Sequence, residues 1–208
     1  MPAKGEGIPP RCRRAAIDLG PHDSHPVSIV TEPPMITLQK SIETYIRAKD
    51  GNRPFLIADA FTADAELTMQ VNTSEISFPG TVKGAKSISN VLVSEFALRY
   101  ENVYTFCIGA PPAAGPAFSC DWLVCMSEKG TRLARAGFGR YEWLAAENSG
   151  QVRQLRITIE EMTTLPQDTV EPILRWADAL PYPWCPRERL GEGAPEITAI
   201  DRIRAALA

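Results

Sequence analysis

A chain of 208 residues with 44% hydrophobic content is long enough for one domain with a sizeable core and appended tails, since domains commonly run about 100 to 200 residues. Its net charge of -3 argues against nucleic acid as a partner, because a phosphate backbone selects for clustered Lys and Arg. No run approaches the roughly 18 to 20 continuous apolar residues of a membrane span, and the N-terminus lacks the apolar core of a signal peptide, so no membrane association is expected.

Residues 1–34 contain Pro2, Pro9, Pro10, Pro21, Pro26, Pro33 and Pro34 with scattered charge, the strongest run being Arg11-Cys12-Arg13-Arg14. They have no apolar period with which to offset the entropy of ordering, and a disordered tail is expected. Met35 stands where the patterned sequence begins and is an alternative native start. From Ile36, the positions Leu38, Ile42, Tyr45 and Ile46 recur at helical spacing until Gly51-Asn52 stops them. Pro54 suits the first turn of a second helix carrying Phe55, Leu56, Ile57, Ala60 and Phe61. Ala65 to Val71 reads as a strand and Phe78-Pro79-Gly80 as a turn. Gly84-Ala85-Lys86 opens a third helix through about Arg99, with Ile88, Val91, Leu92, Phe96 and Leu98 on its apolar face. Four strands follow, at Asn102 to Gly109, Ala117 to Ser127, Arg132 to Trp143 and Gln151 to Met162. They are joined by the turn-forming stretches 111–116, Glu128-Lys129-Gly130 and Asn148-Ser149-Gly150, and such spacing predicts an antiparallel meander.

After Leu165-Pro166 the pattern changes to a short helix around Ile173 to Leu180, an extended run over 181–186 and a last helix from Pro195. Ile197, Ile200, Ile203 and Leu207 form one stripe of that helix, which must dock either on its own domain or on a second subunit. The organisation expected is a tail over 1–34, a domain over 35–165 and a helical extension over 166–208. The fold class is α+β, a curved antiparallel sheet wrapped around three N-terminal helices.

Ile42-Glu43-Thr44-Tyr45-Ile46-Arg47-Ala48 on the first helix, Ala60-Phe61-Thr62-Ala63-Asp64-Ala65 after the second and Phe78-Pro79-Gly80-Thr81-Val82-Lys83-Gly84 before the third carry a resemblance. In this order they resemble the nuclear-transport-factor-2-like superfamily, the cystatin-like cone fold that includes SnoaL-like cyclases, scytalone dehydratases and ketosteroid isomerases. The resemblance covers Ile36 to about Leu165. It implies a pocket lined by the first helix and the concave sheet, without implying one reaction. In ketosteroid isomerases a first-helix tyrosine polarises the substrate carbonyl, and Tyr45 matches it. The positions matching the isomerase base and second oxyanion-hole acid are Met69 and Gly139, neither of which offers proton chemistry.

His22 and His25, the two histidines, both fall in the expected tail, so histidine catalysis within the cone is excluded and no zinc site, other metal or cofactor is expected. Cys12, Cys107, Cys120, Cys125 and Cys185 are odd in number and scattered, which suits a reducing cytoplasm better than a disulfide framework. Cys120 and Cys125 alternate to opposite faces of their strand and read as small hydrophobes. Among carboxylates, Asp64 suits a turn, and Asp121 becomes an acid-base candidate if it faces the pocket, although alternation groups Phe118, Cys120, Trp122 and Val124 opposite it. Arg140 and Glu142 suggest a cross-strand ion pair. Gly137 and Gly139 mark strand bending or close approach of a ligand. Tyr45, Met69, Trp122, Tyr141 and Trp143 are the expected lining for a small apolar or aromatic, polyketide- or steroid-like molecule. Two rival readings stand beside binding. One is a lyase, cyclase or isomerase using Tyr45 with a carboxylate; the other is a homodimeric interaction module pairing through the open sheet face.

Overall fold

The computed structural model describes residues 36–147 and 149–208. The expected tail over 1–34 and the alternative start at Met35 lie outside the described residues.

Helix α1 (Leu38–Asp50) begins where Thr37 caps it, its side chain accepting a 3.2 Å hydrogen bond from the Lys40 amide. Arg47 and Lys49 in the last turn suit the negative end of the helix dipole. The expected second helix is short, a 3-10 turn at Pro54–Leu56 followed by α2 (Ile57–Ala60). Phe55, placed on its apolar face by the sequence, is 72% exposed. The third expected helix is divided into α3 (Ala85–Ser89), a π-helical turn at Asn90–Glu95 and α4 (Phe96–Arg99). A π-turn inserts an extra residue and shifts the buried stripe. Val93 is therefore buried, and Leu98, expected inside, is 76% exposed.

Seven strands form one sheet, in the order β2-β1-β6-β5-β4-β3-β7. β3 (Tyr100–Ile108), β4 (Ala117–Glu128), β5 (Ala134–Ala145) and β6 (Val152–Leu165) make the expected antiparallel meander. The sheet as a whole is mixed, which corrects the purely antiparallel expectation. β1 (Phe61–Val71) is antiparallel to the short β2 (Thr81–Lys83) but parallel to β6, and β7 (Trp184–Cys185) is parallel to β3. Three reversals in the meander bring β6 back beside β1 in the same direction, and a two-residue edge strand needs no reversal to pair. β1 also begins four residues before its expected start, with a register shift between Phe61 and Glu66 that absorbs the exposed Asp64.

Strand alternation gives the sheet two apolar faces, each with its own core. On the inner face Ile42, Tyr45 and Ile46 of α1 and Ile88, Leu92 and Phe96 of the third helical segment pack on Leu67, Trp122, Tyr141, Trp143, Leu155 and Ile157. On the outer face Ile173 and Trp176 of α5 (Val170–Ala179) and Ile200, Ile203 and Leu207 of α6 (Thr198–Leu207) pack on Phe106, Ile108, Leu123, Cys125 and Ala136. The isoleucine stripe of the last helix thus docks on its own sheet. Arg202 fixes it there through Glu161 of β6, with Nε 3.1 Å from the carboxylate.

Candidate functional site

Tyr45 enters the inner core because it follows Leu38 and Ile42 on the buried face of α1, at the spacing that sets side chains one above another. Its ring is fully buried and makes edge contacts with Phe61, Tyr141 and Trp143 at centroid distances of 5.8, 6.2 and 5.4 Å. Among the described residues its hydroxyl has no hydrogen-bond partner, and neither has the indole N–H of Trp122. Burial pushes the Tyr45 hydroxyl above its ordinary pKa, and the Tyr141 hydroxyl, near it without meeting hydrogen-bond geometry, pulls it partly back. Burial raises Tyr141 well above the ordinary range too. Both therefore remain neutral hydroxyls at any ordinary pH.

A cavity of about 40 Å³ lies at this point, walled by Tyr45, Lys49, Met69, Thr105, Trp122 and Tyr141, with Ile76, Phe78, Leu92, Phe96, Val124, Met126, Ile157, Ile159 and Met162 completing an apolar lining. Four of the five expected lining residues, Tyr45, Met69, Trp122 and Tyr141, meet there. Trp143 does not, because it packs against the ring of Tyr45 away from the cavity wall. The volume is far below the roughly 300–1,000 Å³ of ordinary ligand pockets, so a steroid-sized molecule has no room in the cone as it stands. Ile76 and Phe78 of the segment 72–80 between β1 and β2 line this cavity and also border a neighbouring cleft of about 110 Å³. Larger open depressions of about 710 and 820 Å³ lie across Thr68, Glu142 and Arg156 of the sheet and beside Phe55 of the second helical segment. Neither contains Tyr45 or Lys49.

Asp121 is not in the cavity. It sits on the opposite face of β4 from Cys120 and Trp122, 3.1 Å from Arg140 and also bonded to Arg187. The period-2 alternation of a strand makes that placement unavoidable once Trp122 points inward. A catalytic pair of Tyr45 with Asp121 is therefore ruled out by geometry. Glu142 pairs with Arg156 at 3.6 Å, not with Arg140. Gly139 explains itself by close approach from within the fold. A Cβ there would lie 1.9 Å from the Thr158 carbonyl oxygen and 2.8 Å from the Trp122 ring, where β6 shifts register against β5.

The sequence reading missed Lys49, Asp50 and Thr105. Lys49 Nζ donates to Asp50 Oδ1 at 2.9 Å and to Thr105 Oγ1 at 2.7 Å, and lies 4.7 Å from the Phe96 ring centroid. Asp50 also accepts from the Thr105 amide at 2.7 Å, the Thr105 hydroxyl at 2.8 Å and the Tyr182 hydroxyl at 3.0 Å. The lysine and aspartate side chains are 9% and 6% exposed. The available signal was spacing: Lys49 lies four residues after Tyr45, on the same face. Charges in a last helical turn ordinarily go to solvent, which hid it. Among the described residues no group of three or more His, Cys, Asp or Glu side chains is placed to hold a metal, and no helix is long and apolar enough to cross a membrane.

No protein-family model and no curated protein matches this chain. Solved structures do. A nuclear transport factor 2-like superfamily protein from Salmonella enterica is 16% identical, over 60% of this chain and 89% of that one, at a TM-score of 0.47. A hypothetical protein with a ketosteroid isomerase-like fold from Catenulispora acidiphila, in complex with trimethylamine, is 16% identical over 57% and 83%, at 0.46. An LEH-like epoxide hydrolase from M. tuberculosis is 12% identical over 61% and 85%, at 0.45. These likenesses concern the arrangement of elements and carry no reaction with them. Among the solved structures to which this chain is similar are thus a nuclear transport factor 2-like superfamily protein and a protein with a ketosteroid isomerase-like fold.

Proposed function

We propose that the cone is a small-molecule binding site for an apolar or aromatic molecule, entered past Ile76 and Phe78. What carries this reading is the cavity at Tyr45, apolar over most of its wall yet bordered by two residues, Tyr45 and Trp122, whose buried polar groups have no partner. A buried donor left unsatisfied costs about 1–3 kcal/mol, and a ligand oxygen accepting from it would recover that cost. The small volume is reconciled with a ligand by the segment 72–80. Its latch is Glu75, whose backbone carbonyl accepts from Arg135 at 3.0 Å and whose carboxylate accepts from Thr164 at 2.7 Å. Polar contacts of this kind are worth about 0–1 kcal/mol each, so the cost of displacing the segment lies mainly in uncovering Ile76 and Phe78, up to about 3 kcal/mol for each side chain.

Binding without catalysis is the better-supported form. The nearest buried carboxylate, Asp50, has all its contacts committed to Lys49, Thr105 and Tyr182. Pairing through the open sheet face finds less support, since α5 and α6 occupy much of the outer face and the uncovered strip carries Thr68, Glu142, Gln154 and Arg156.

The test is thermal stabilisation by a panel of single-ring aromatics, on the native chain and on Phe78→Ala. A ligand at a hundredfold its Kd stabilises by about 2.7 kcal/mol. We expect such shifts, larger in Phe78→Ala and abolished in Met69→Trp. Absence of any shift in either protein, or an undiminished one in Met69→Trp, overturns the proposal.

A further inference from the structure

We infer that the cone anchors an uncharged molecule through an acceptor oxygen hydrogen-bonded to Lys49; this rests on reading the cone as a small-molecule site. An ammonium has three N–H donors and no acceptor. Two of those of Lys49 are taken by Asp50 and Thr105; the ammonium also lies 4.7 Å from the Phe96 ring centroid, and among the described residues its third donor has no oxygen or nitrogen acceptor. Lys49 nevertheless lines the cavity. The indole of Trp122, 3% exposed and unpartnered, lines the same cavity and can only donate. Neither group can receive a ligand hydrogen, so the ligand atom that faces them is a lone-pair acceptor, of which a carbonyl or ether oxygen is the uncharged case.

Charge decides which oxygen. A buried ion is stable only when paired, and Asp50 already balances Lys49, held by the Thr105 amide, the Thr105 hydroxyl and Tyr182. A carboxylate entering the cavity would bring a second negative charge without a second positive one, since no other Lys or Arg lines it. A carbonyl or ether oxygen adds no net charge. Asp50 and Thr105 thus fix the ammonium in position and set the site neutral, while Lys49 makes the contact.

Three probes of nearly one shape separate these alternatives: acetophenone, benzoate and isopropylbenzene. Binding is measured by calorimetry on the full chain and on Phe78→Ala. Acetophenone is expected to bind about tenfold tighter than either of the others, the scale of one hydrogen bond to a charged group. In the double variant Lys49→Met with Asp50→Asn, which removes both charges together, that preference should vanish while isopropylbenzene still binds. The carbonyl stretch of bound acetophenone should also move to lower frequency in the native chain, a readout that needs no variant. If isopropylbenzene binds as well as acetophenone with no carbonyl shift, or if the preference survives in the double variant, the anchor is wrong and the cone remains a binding site. Benzoate binding tighter than acetophenone overturns the neutral-ligand assignment. Failure of all three probes on both proteins overturns the anchor together with the reading beneath it.

Discussion

At the scale of residues, the inner core holds polar atoms that the fold does not use. The Tyr45 hydroxyl is fully buried without a hydrogen bond, so Tyr45→Phe removes an unsatisfied group and should leave stability unchanged or raise it by up to about 1 kcal/mol. Ligand affinity should fall by about 1–2 kcal/mol in the same variant. Chemical denaturation and calorimetry read the two effects separately, and a large loss of stability would mean that the hydroxyl has a structural partner. Gly139→Ala should do the reverse, costing about 1–3 kcal/mol or more as an overpacked site, because the added carbon meets the Thr158 carbonyl at 1.9 Å, which only backbone movement relieves. Tyr45, Met69, Trp122 and Tyr141 were legible as lining because apolar and aromatic residues at periods of 3.6 and 2 identify the inward face. Lys49 was not, because its polar partners are assembled from afar: Thr105 lies 56 positions further along the chain, and Asp50 is held by Tyr182, 132 positions after it.

At the scale of elements, the last helix is held by an apolar stripe and one charged pair. Ile203 is fully buried against the outer face, so Ile203→Ala should cost about 2–5 kcal/mol, measured as a lowered denaturation midpoint without a change in slope. Arg202 holds the Glu161 carboxyl below its ordinary pKa of 4.5. The folded state therefore binds that proton less readily than the unfolded chain, and the contribution is complete above pH 4.5 and lost as pH falls through the lowered value. The stability gap between the native chain and Glu161→Gln should shrink on acidification; a gap independent of pH would show the pair to be idle. The stripe was legible from Ile200, Ile203 and Leu207, but its partner was not. Docking on the chain's own sheet and docking on a second subunit demand the same periodicity, and only the position of Leu123, Cys125 and Ala136 decides between them.

At the scale of the whole molecule, the cone is nearly filled, and the positions that the resemblance matches to an isomerase's two acids hold Met69 and Gly139. Met69 lines the cavity and Gly139 carries no side chain, so no isomerisation of an unsaturated ketosteroid is expected. Turnover at about 1 per second or faster, followed by absorbance of the conjugated product, would show that another base has been recruited. The same filled interior makes the segment 72–80 the point on which ligand size depends, since Ile76 and Phe78 stand between the cavity of about 40 Å³ and the cleft of about 110 Å³.

The order of helices and strands, the meander and the inward aromatic set were determined by the sequence, because local periodicity and turn chemistry act over a few residues. The parallel pairing of β1 with β6, the phase shift at the π-turn, the seating of the last helix and the Lys49–Asp50–Thr105 cluster were decided by the tertiary structure. Each of these depends on contacts between distant segments, where packing and the cost of burying an unpaired charge outweigh the preference of any local stretch.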